Sequence, residues 1–181
     1  MLQFGFDPVF VRWIKACIKS SWIAPLVNGH AANLFKASQG LHQSYPLSPM
    51  LYVIQASVLS FQLDRCQQNN ELLGLRISHG VKNVNHAQFA DDTILLGGAS
   101  VASARLFKRE LEKYQDASGS LINYNKSQIL SWNCNPRDLA DISRIIGIKG
   151  SSQWVDFKYL GVPIFKAAPK VSSWIPLMEK N

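Results

Sequence analysis

Two adjacent carboxylates, Asp91 and Asp92, follow Phe89-Ala90 and precede the apolar run Thr93-Ile94-Leu95-Leu96. Neighbouring side chains of a strand point to opposite faces, so an adjacent pair can share one ion only where the backbone turns sharply. The pattern therefore predicts a hairpin with the acidic pair at its turn. Carboxylates held there offer hard oxygen donors. Magnesium suits them, because it takes one or two carboxylates and completes its shell with water and phosphate. The chemistry open to such a site is two-metal phosphoryl transfer, in which one ion activates an attacking hydroxyl and the other steadies a leaving pyrophosphate. The other reading of a bare Asp-Asp pair is a turn whose side chains cap backbone amides, since Asp is a favoured turn residue.

The elements that must position this pair can be read along the chain. Asp7-Pro8 is a helix opening, with an N-cap carboxylate and then proline at the first helical position, and Phe10, Trp13, Ile14 and Cys17 follow at helical spacing. Residues 22–36 read as a hairpin about Asn28-Gly29, with Pro25 making its first strand irregular. Ser48-Pro49 opens a second helix with Leu47, Leu51, Ile54, Val58 and Phe61 on one face. A second hairpin is expected from residues 75–78 and 84–90, and residues 93–97 supply the strand after the acidic pair. Ser100 caps a third helix with Ala104, Phe107, Leu111 and Tyr114 inward, ended by Gly119. Residues 121–125 and 127–132 read as short strands around Lys126. Asn135-Pro136 opens a short helix with Leu139, Ile142 and Ile146 inward and Gly147 at its end, and residues 154–164 read as a strand containing a glycine. This order argues for an α+β fold with an antiparallel sheet backed by helices.

Composition sets the broad class. Of 181 residues, 47% are hydrophobic and 17% charged, which is enough apolar material for a packed core. The net charge of +7 suits a polyanionic partner, nucleic acid above all. Cys17, Cys66 and Cys134 are odd in number and far apart, so they read as free thiols of a reducing compartment, without a disulfide framework or metal knuckle. The N-terminal stretch does not read as a secretory signal, and no apolar run approaches the length of a membrane span, which points to an intracellular protein away from the membrane. His30, His79 and His86 lack the paired spacing of a zinc site. Trp13, Trp22, Trp132, Trp154 and Trp174 read as packing residues, with base stacking as the alternative.

Four ordered segments carry a resemblance. Phe89-Ala90-Asp91-Asp92 resembles the aromatic-Ala-Asp-Asp box of reverse transcriptases, and its Phe with the following TILL is similar to plant LINE-type (non-LTR) elements. QGLHQSYPLSP, residues 39–49, resembles the nucleotide-proximal loop and helix usually written RGLRQGDPLSP; SGSLINYNKSQIL, residues 118–130, resembles the segment with a lysine near the triphosphate; YLGVPI, residues 159–164, resembles the strand that grips the primer end. The resemblance implies a partial right-hand polymerase palm over residues 1–165 and the start of a thumb-like C-terminal connection over 166–181. It implies a metal-binding Asp91 with Asp92 in support, and Lys126 as general acid or electrostatic stabiliser at the pyrophosphate. It also implies Gln43, Pro46, Leu47, Ser48, Pro49 and Phe89 on the nucleotide and template side, and Tyr159, Leu160 and Gly161 at the primer. The implied cofactor is magnesium, with manganese as the alternative ion; the implied partners are an RNA template, a DNA primer and dNTPs.

Two departures point to an inactive remnant. The family carries a further metal-binding Asp on a strand before the helix at Asp7, and this chain is expected to lack it; Asp7, at a helix start, and Asp64, on a helix tail, do not replace it. His42, Ser44 and Tyr45 stand where the family has Arg, Gly and Asp. Serine takes the backbone conformations open to glycine poorly, and tyrosine puts bulk where a small carboxylate would stand. The alternative function is a nucleic-acid-binding module without catalysis.

Overall fold

The structure is a computed structural model that describes residues 1–19, 22–36, 40, 45–153, 157–165 and 174. Gln43, with His42 and Ser44, lies outside the described residues, as does the C-terminal segment 166–181 apart from Trp174. The chain divides into two compact units, Met1–Gln62 with Lys113–Ser120, and Leu63–Glu112 with Leu121–Asn181.

In the first unit, helix α1 spans Pro8–Lys19 and is capped as the sequence predicts, Asp7 Oδ1 accepting the Val9 N–H at 2.6 Å. Its buried residues are Val11 and Ile14, while Phe10 stacks on Phe6 with 5.7 Å between centroids and Trp13 remains 64% exposed. The buried stripe is thus narrower than the apolar face of the helix. The expected hairpin forms from β1 (Trp22–Ile23), β2 (Leu26–Val27), β3 (His30–Ala31) and β4 (Phe35–Lys36), β2 pairing with β3 and β1 with β4. Pro25 interrupts the outgoing strand, as a residue without an N–H must. Asn28 and Gly29 have φ of 51° and 80°, the paired positive angles of a type I′ turn, whose twist matches that of the strands.

Helix α2 covers Ser48–Gln68. It buries Leu59, Leu63 and Cys66, while Leu51, Ile54 and Val58 are half-buried and Phe61 is 62% exposed. The expected apolar face is therefore displaced. This helix carries apolar residues on more than one side, so periodicity could not decide which stripe would be covered.

In the second unit, the pairing expected of residues 75–78 shrinks to one antiparallel bridge, Leu75 to Val84. It leads into β5 (His86–Phe89), which pairs with β6 (Asp92–Leu95). Helix α3, Val101–Ser118, starts with the Ser100 hydroxyl accepting the Ser103 N–H at 3.2 Å and stops at Gly119, φ 71°. Ala104 and Phe107 are buried as expected, with Leu106 and Glu110; Leu111 and Tyr114 are half-buried. Residues 121–125 are not a strand. Asn123 Oδ1 accepts the N–H groups of Asn125 and Lys126 at 3.1 and 3.2 Å, and this side-chain turn takes the place of a ladder. β7 (Ile129–Leu130), α4 (Pro136–Ile146) and β8 (Gly150–Ser151) follow, and β7 pairs with β8 in parallel. Asn135 caps α4 and Gly147, φ 83°, ends it, with Ile142 buried. The segment read as one strand with a glycine is a hairpin of β9 (Lys158–Tyr159) and β10 (Val162–Pro163), because Leu160 and Gly161, φ 52° and 80°, form a second type I′ turn.

The chain is thus a mixed helix and ribbon fold of the α+β class. The strands of the described residues form five two-stranded ribbons, four antiparallel and one parallel, and not the single antiparallel sheet expected. Most strands are two residues long, which gives each ribbon little ladder on which a third strand could pair.

Candidate functional site at the Asp91–Asp92 hairpin

Phe89 pairs with Asp92 and His86 with Leu95, so only Ala90 and Asp91 make the turn of the β5–β6 ribbon. The ladder continues one step further down, where the Leu96 N–H donates to the Asn85 carbonyl at 2.8 Å. Asp91 therefore stands at the apex. Asp92 opens the return strand on the same face as Phe89, because directly opposed residues of an antiparallel pair share a face. All three are exposed, Phe89 to 62%. Ala90 reaches the turn with φ 48°, a left-handed conformation in which Cβ crowds the backbone at a cost of roughly 1–2 kcal/mol. Strain of this kind persists where surrounding structure over-determines it, and it collects at functional positions. Ala90→Gly should raise stability by about 0.5–1 kcal/mol, the relieved strain less the extra entropy of glycine; thermal melting checks it, and a lowered Tm contradicts the strain.

The donor set is two neighbouring exposed carboxylates. Among the described residues no group of three or more His, Cys, Asp or Glu stands ready to enclose a metal. Two carboxylates fit a magnesium or manganese ion held mainly by water and substrate phosphate, and not a protein cage. Lys126 is exposed on the Asn123 turn, and no hydrogen bond or ion pair of the described residues joins it to either carboxylate. Tyr159 ends β9, and Leu160-Gly161 are the turn that follows, so these three sit at the tip of their own hairpin.

In the first unit, Pro46 and Leu47 form the turn that enters α2, the Ser48 N–H donating to the Tyr45 carbonyl at 3.0 Å, and Pro49 lies in the first helical turn. Tyr45 hydrogen-bonds the side chain of Cys17. That bond, then the thiol's charge and a smaller effect of burial, raise the phenol pKa above its ordinary value. The tyrosine thereby ties the loop to α1.

A polar cluster at the base of the acidic hairpin has no counterpart in the sequence reading. Asn85, 3% exposed, donates from Nδ2 to Asp64 Oδ1 at 3.2 Å and contacts His86 Nδ1 through its own Oδ1. Lys82 Nζ lies 3.2 Å from the same Asp64 oxygen. Asp64 and Asn85 are 21 positions apart, so no local spacing could announce them. Burial lowers the His86 pKa, the Asp64 charge opposes that, and Lys82 adds to it. A histidine whose folded pKa is depressed binds fewer protons folded than unfolded. Its share of stability is present above the ordinary imidazole value near 6.5 and is lost as pH falls from there through the folded pKa. Urea melts between pH 7.5 and 5 should show stability falling with acid, and His86→Gln should flatten that part of the curve; an unchanged slope rules out this origin.

The pattern of the family described as "Reverse transcriptase (RNA-dependent DNA polymerase)" matches residues 1–164. An uncharacterised mitochondrial protein of Arabidopsis thaliana is 41% identical over 68 residues, which are 38% of this chain and 56% of that protein. The chain thus matches a little over half the length of that relative. Because the family pattern takes in the acidic hairpin, the entry to α2, the Lys126 turn and the Tyr159–Gly161 turn alike, this chain belongs to the reverse transcriptase (RNA-dependent DNA polymerase) family.

Proposed function

We propose that the chain is the palm part of a LINE-type, plant-like reverse transcriptase, and that it is a remnant no longer able to polymerise. The ancestral reaction extends a DNA primer with dNTPs on an RNA template. The palm takes residues 1–165, and 166–181 begin a thumb-like connection. One observation carries the reading: Asp91 stands in the two-residue turn of a hairpin and Asp92 opens its return strand, inside a chain that follows the family pattern from residue 1 to 164. Asp91 is the metal-binding carboxylate and Asp92 its support. A divalent ion bound there supplies positive charge for the nucleotide's phosphates. Phe89, on the face of Asp92, takes a nucleotide-side role, and the family resemblance gives the same role to Gln43, Pro46, Leu47, Ser48 and Pro49. Lys126 stabilises the leaving pyrophosphate by charge or by donating a proton, and Tyr159, Leu160 and Gly161 support the primer end.

Loss of activity rests on the residues present. Tyr45 occupies the family's Asp position with its hydroxyl turned to Cys17. Primer extension with magnesium, dNTPs and a primed RNA template should give no template-dependent product. Product that disappears with Asp91→Ala would overturn the inactivity and establish the polymerase; no product from wild type or variant agrees with the remnant. The net charge of +7 favours a second reading, a nucleic-acid-binding module without chemistry.

A further inference from the structure

Asn28 is the one asparagine of the chain that glycine follows. Both residues are exposed, at φ 51° and 80°, in the turn between β2 and β3. The ladder there belongs to the opposed pair Val27 and His30, and among the described residues no hydrogen bond holds the Asn28 carboxamide or the Gly29 N–H. Other asparagines are engaged: Asn85 is buried against Asp64, Asn123 closes a turn and Asn135 caps α4. Asn70 and Asn133 share the left-handed backbone of Asn28, at φ 59° and 51°, and its exposure, but Glu71 and Cys134 follow them. A Cβ on the following residue obstructs approach to that residue's nitrogen. Gly29 has none, and the space a Cβ would take there is empty.

This combination suits attack of the backbone on its own side chain. A base takes the Gly29 amide proton, the nitrogen bonds to Asn28 Cγ, and the side-chain nitrogen leaves as ammonia, closing a five-membered imide. Water then opens the ring. Cleavage at Cγ leaves aspartate. Cleavage at the old backbone carbonyl leaves isoaspartate, in which the chain runs on through Cγ and gains one methylene. The imide fixes ψ of residue 28 at a value that a type I′ turn does not use, so the tip of the hairpin must open first. Only two opposed pairs close that tip, Leu26 with Ala31 and Val27 with His30, and all four residues are exposed. A ribbon so short is marginal in water and opens locally at small cost. The two products then differ in their effect. Asp-Gly makes the same type I′ turn, whereas the longer backbone of isoaspartate cannot close a two-residue turn in this register.

We infer that Asn28 is a self-modifying site, at which the chain deamidates without an enzyme and in its isoaspartyl form loses the β2–β3 pairing. The reaction asks nothing of the acidic hairpin, so the site stands apart from the polymerase reading. The full chain is incubated at mildly alkaline pH and body temperature, and its peptides are followed by mass spectrometry with fragmentation that separates isoaspartate from aspartate. The peptide holding Asn28 should gain about 1 Da, as an amide becomes an acid. It should do so faster than the peptides holding Asn70 and Asn133, and isoaspartate should be present in the product. The native rate should lie within about 30-fold of the rate in concentrated urea, because only the short tip has to open. Asn28→Gly, which keeps a turn sequence of the same type, should abolish the isoaspartyl signal. In the amide spectrum, the isoaspartyl form should lose the strand-like shifts of residues 26–31, which freshly purified Asn28→Asp keeps. A gain at Asn28 no faster than at Asn70 or Asn133 overturns the inference, as does aspartate formed without isoaspartate. Protection beyond that range in the native chain overturns it too, and so does an isoaspartyl form that retains the hairpin shifts.

Discussion

Leu63→Ala should destabilise the protein by about 3 kcal/mol, as expected when a fully buried leucine is cut to alanine and its cavity relaxes only in part. Leu63 has 0% exposure and, with Leu72 at 1%, is among the largest side chains wholly removed from solvent. It lies one helical turn from Leu59 and near one turn from Cys66, so it continues the stripe that α2 buries. A loss of that size is a large share of the 5–15 kcal/mol that holds a typical domain. Urea denaturation should show the midpoint moving down with little change in slope. A loss under about 1 kcal/mol would mean that the stripe collapses around the gap or is not core. Leu63→Met, which conserves volume, should cost less than about 1.5 kcal/mol.

Gly74→Ala should cost roughly 1–3 kcal/mol, the usual range for forcing atoms into a filled space. A Cβ at this position would stand 2.7 Å from the Val84 carbonyl oxygen and 2.8 Å from its carbon. Neither neighbour is a flexible side-chain end. Both belong to the bridge in which Leu75 and Val84 exchange hydrogen bonds of 2.6 and 2.9 Å, so the strands must separate to admit the methyl group. Val84 leads directly to Asn85 and His86, and the damage therefore extends to the polar cluster under the acidic hairpin. Gly98→Ala is the control, since its Cβ would meet only Ser103 Oγ at an ordinary 3.7 Å. Equal melting curves for the two variants would show that the bridge yields freely.

What the sequence announced most clearly were features with local chemistry. Asp7-Pro8, Ser100 and Asn135-Pro136 each opened a helix, because a capping side chain and a proline act within a few residues. Asn28-Gly29 formed the expected turn for the same reason, and the acidic pair at a hairpin followed from two apolar runs meeting at a sharp bend. Where the outcome depended on distant partners, the sequence was silent. Which side of α2 is covered depends on what packs against it, so Leu59, Leu63 and Cys66 won over the equally apolar Val58 and Phe61. Leu160 at a positive φ is unusual for a branched side chain, and that hid the second type I′ turn inside an apparent strand. The Asp64–Asn85–His86 cluster needed the folded chain to bring α2 to the foot of β5.

The ribbons differ in how far apart along the chain their partners lie. Val27 with His30, Phe89 with Asp92 and Tyr159 with Val162 close over two intervening residues each, whereas Ile129 must find Gly150 across the whole of α4. The entropy of bringing ends together grows with the length of the closed loop, and non-local pairing is what slows folding. The tight hairpins, the acidic one included, therefore carry a smaller closure cost than the parallel pair, which encloses α4 between its strands.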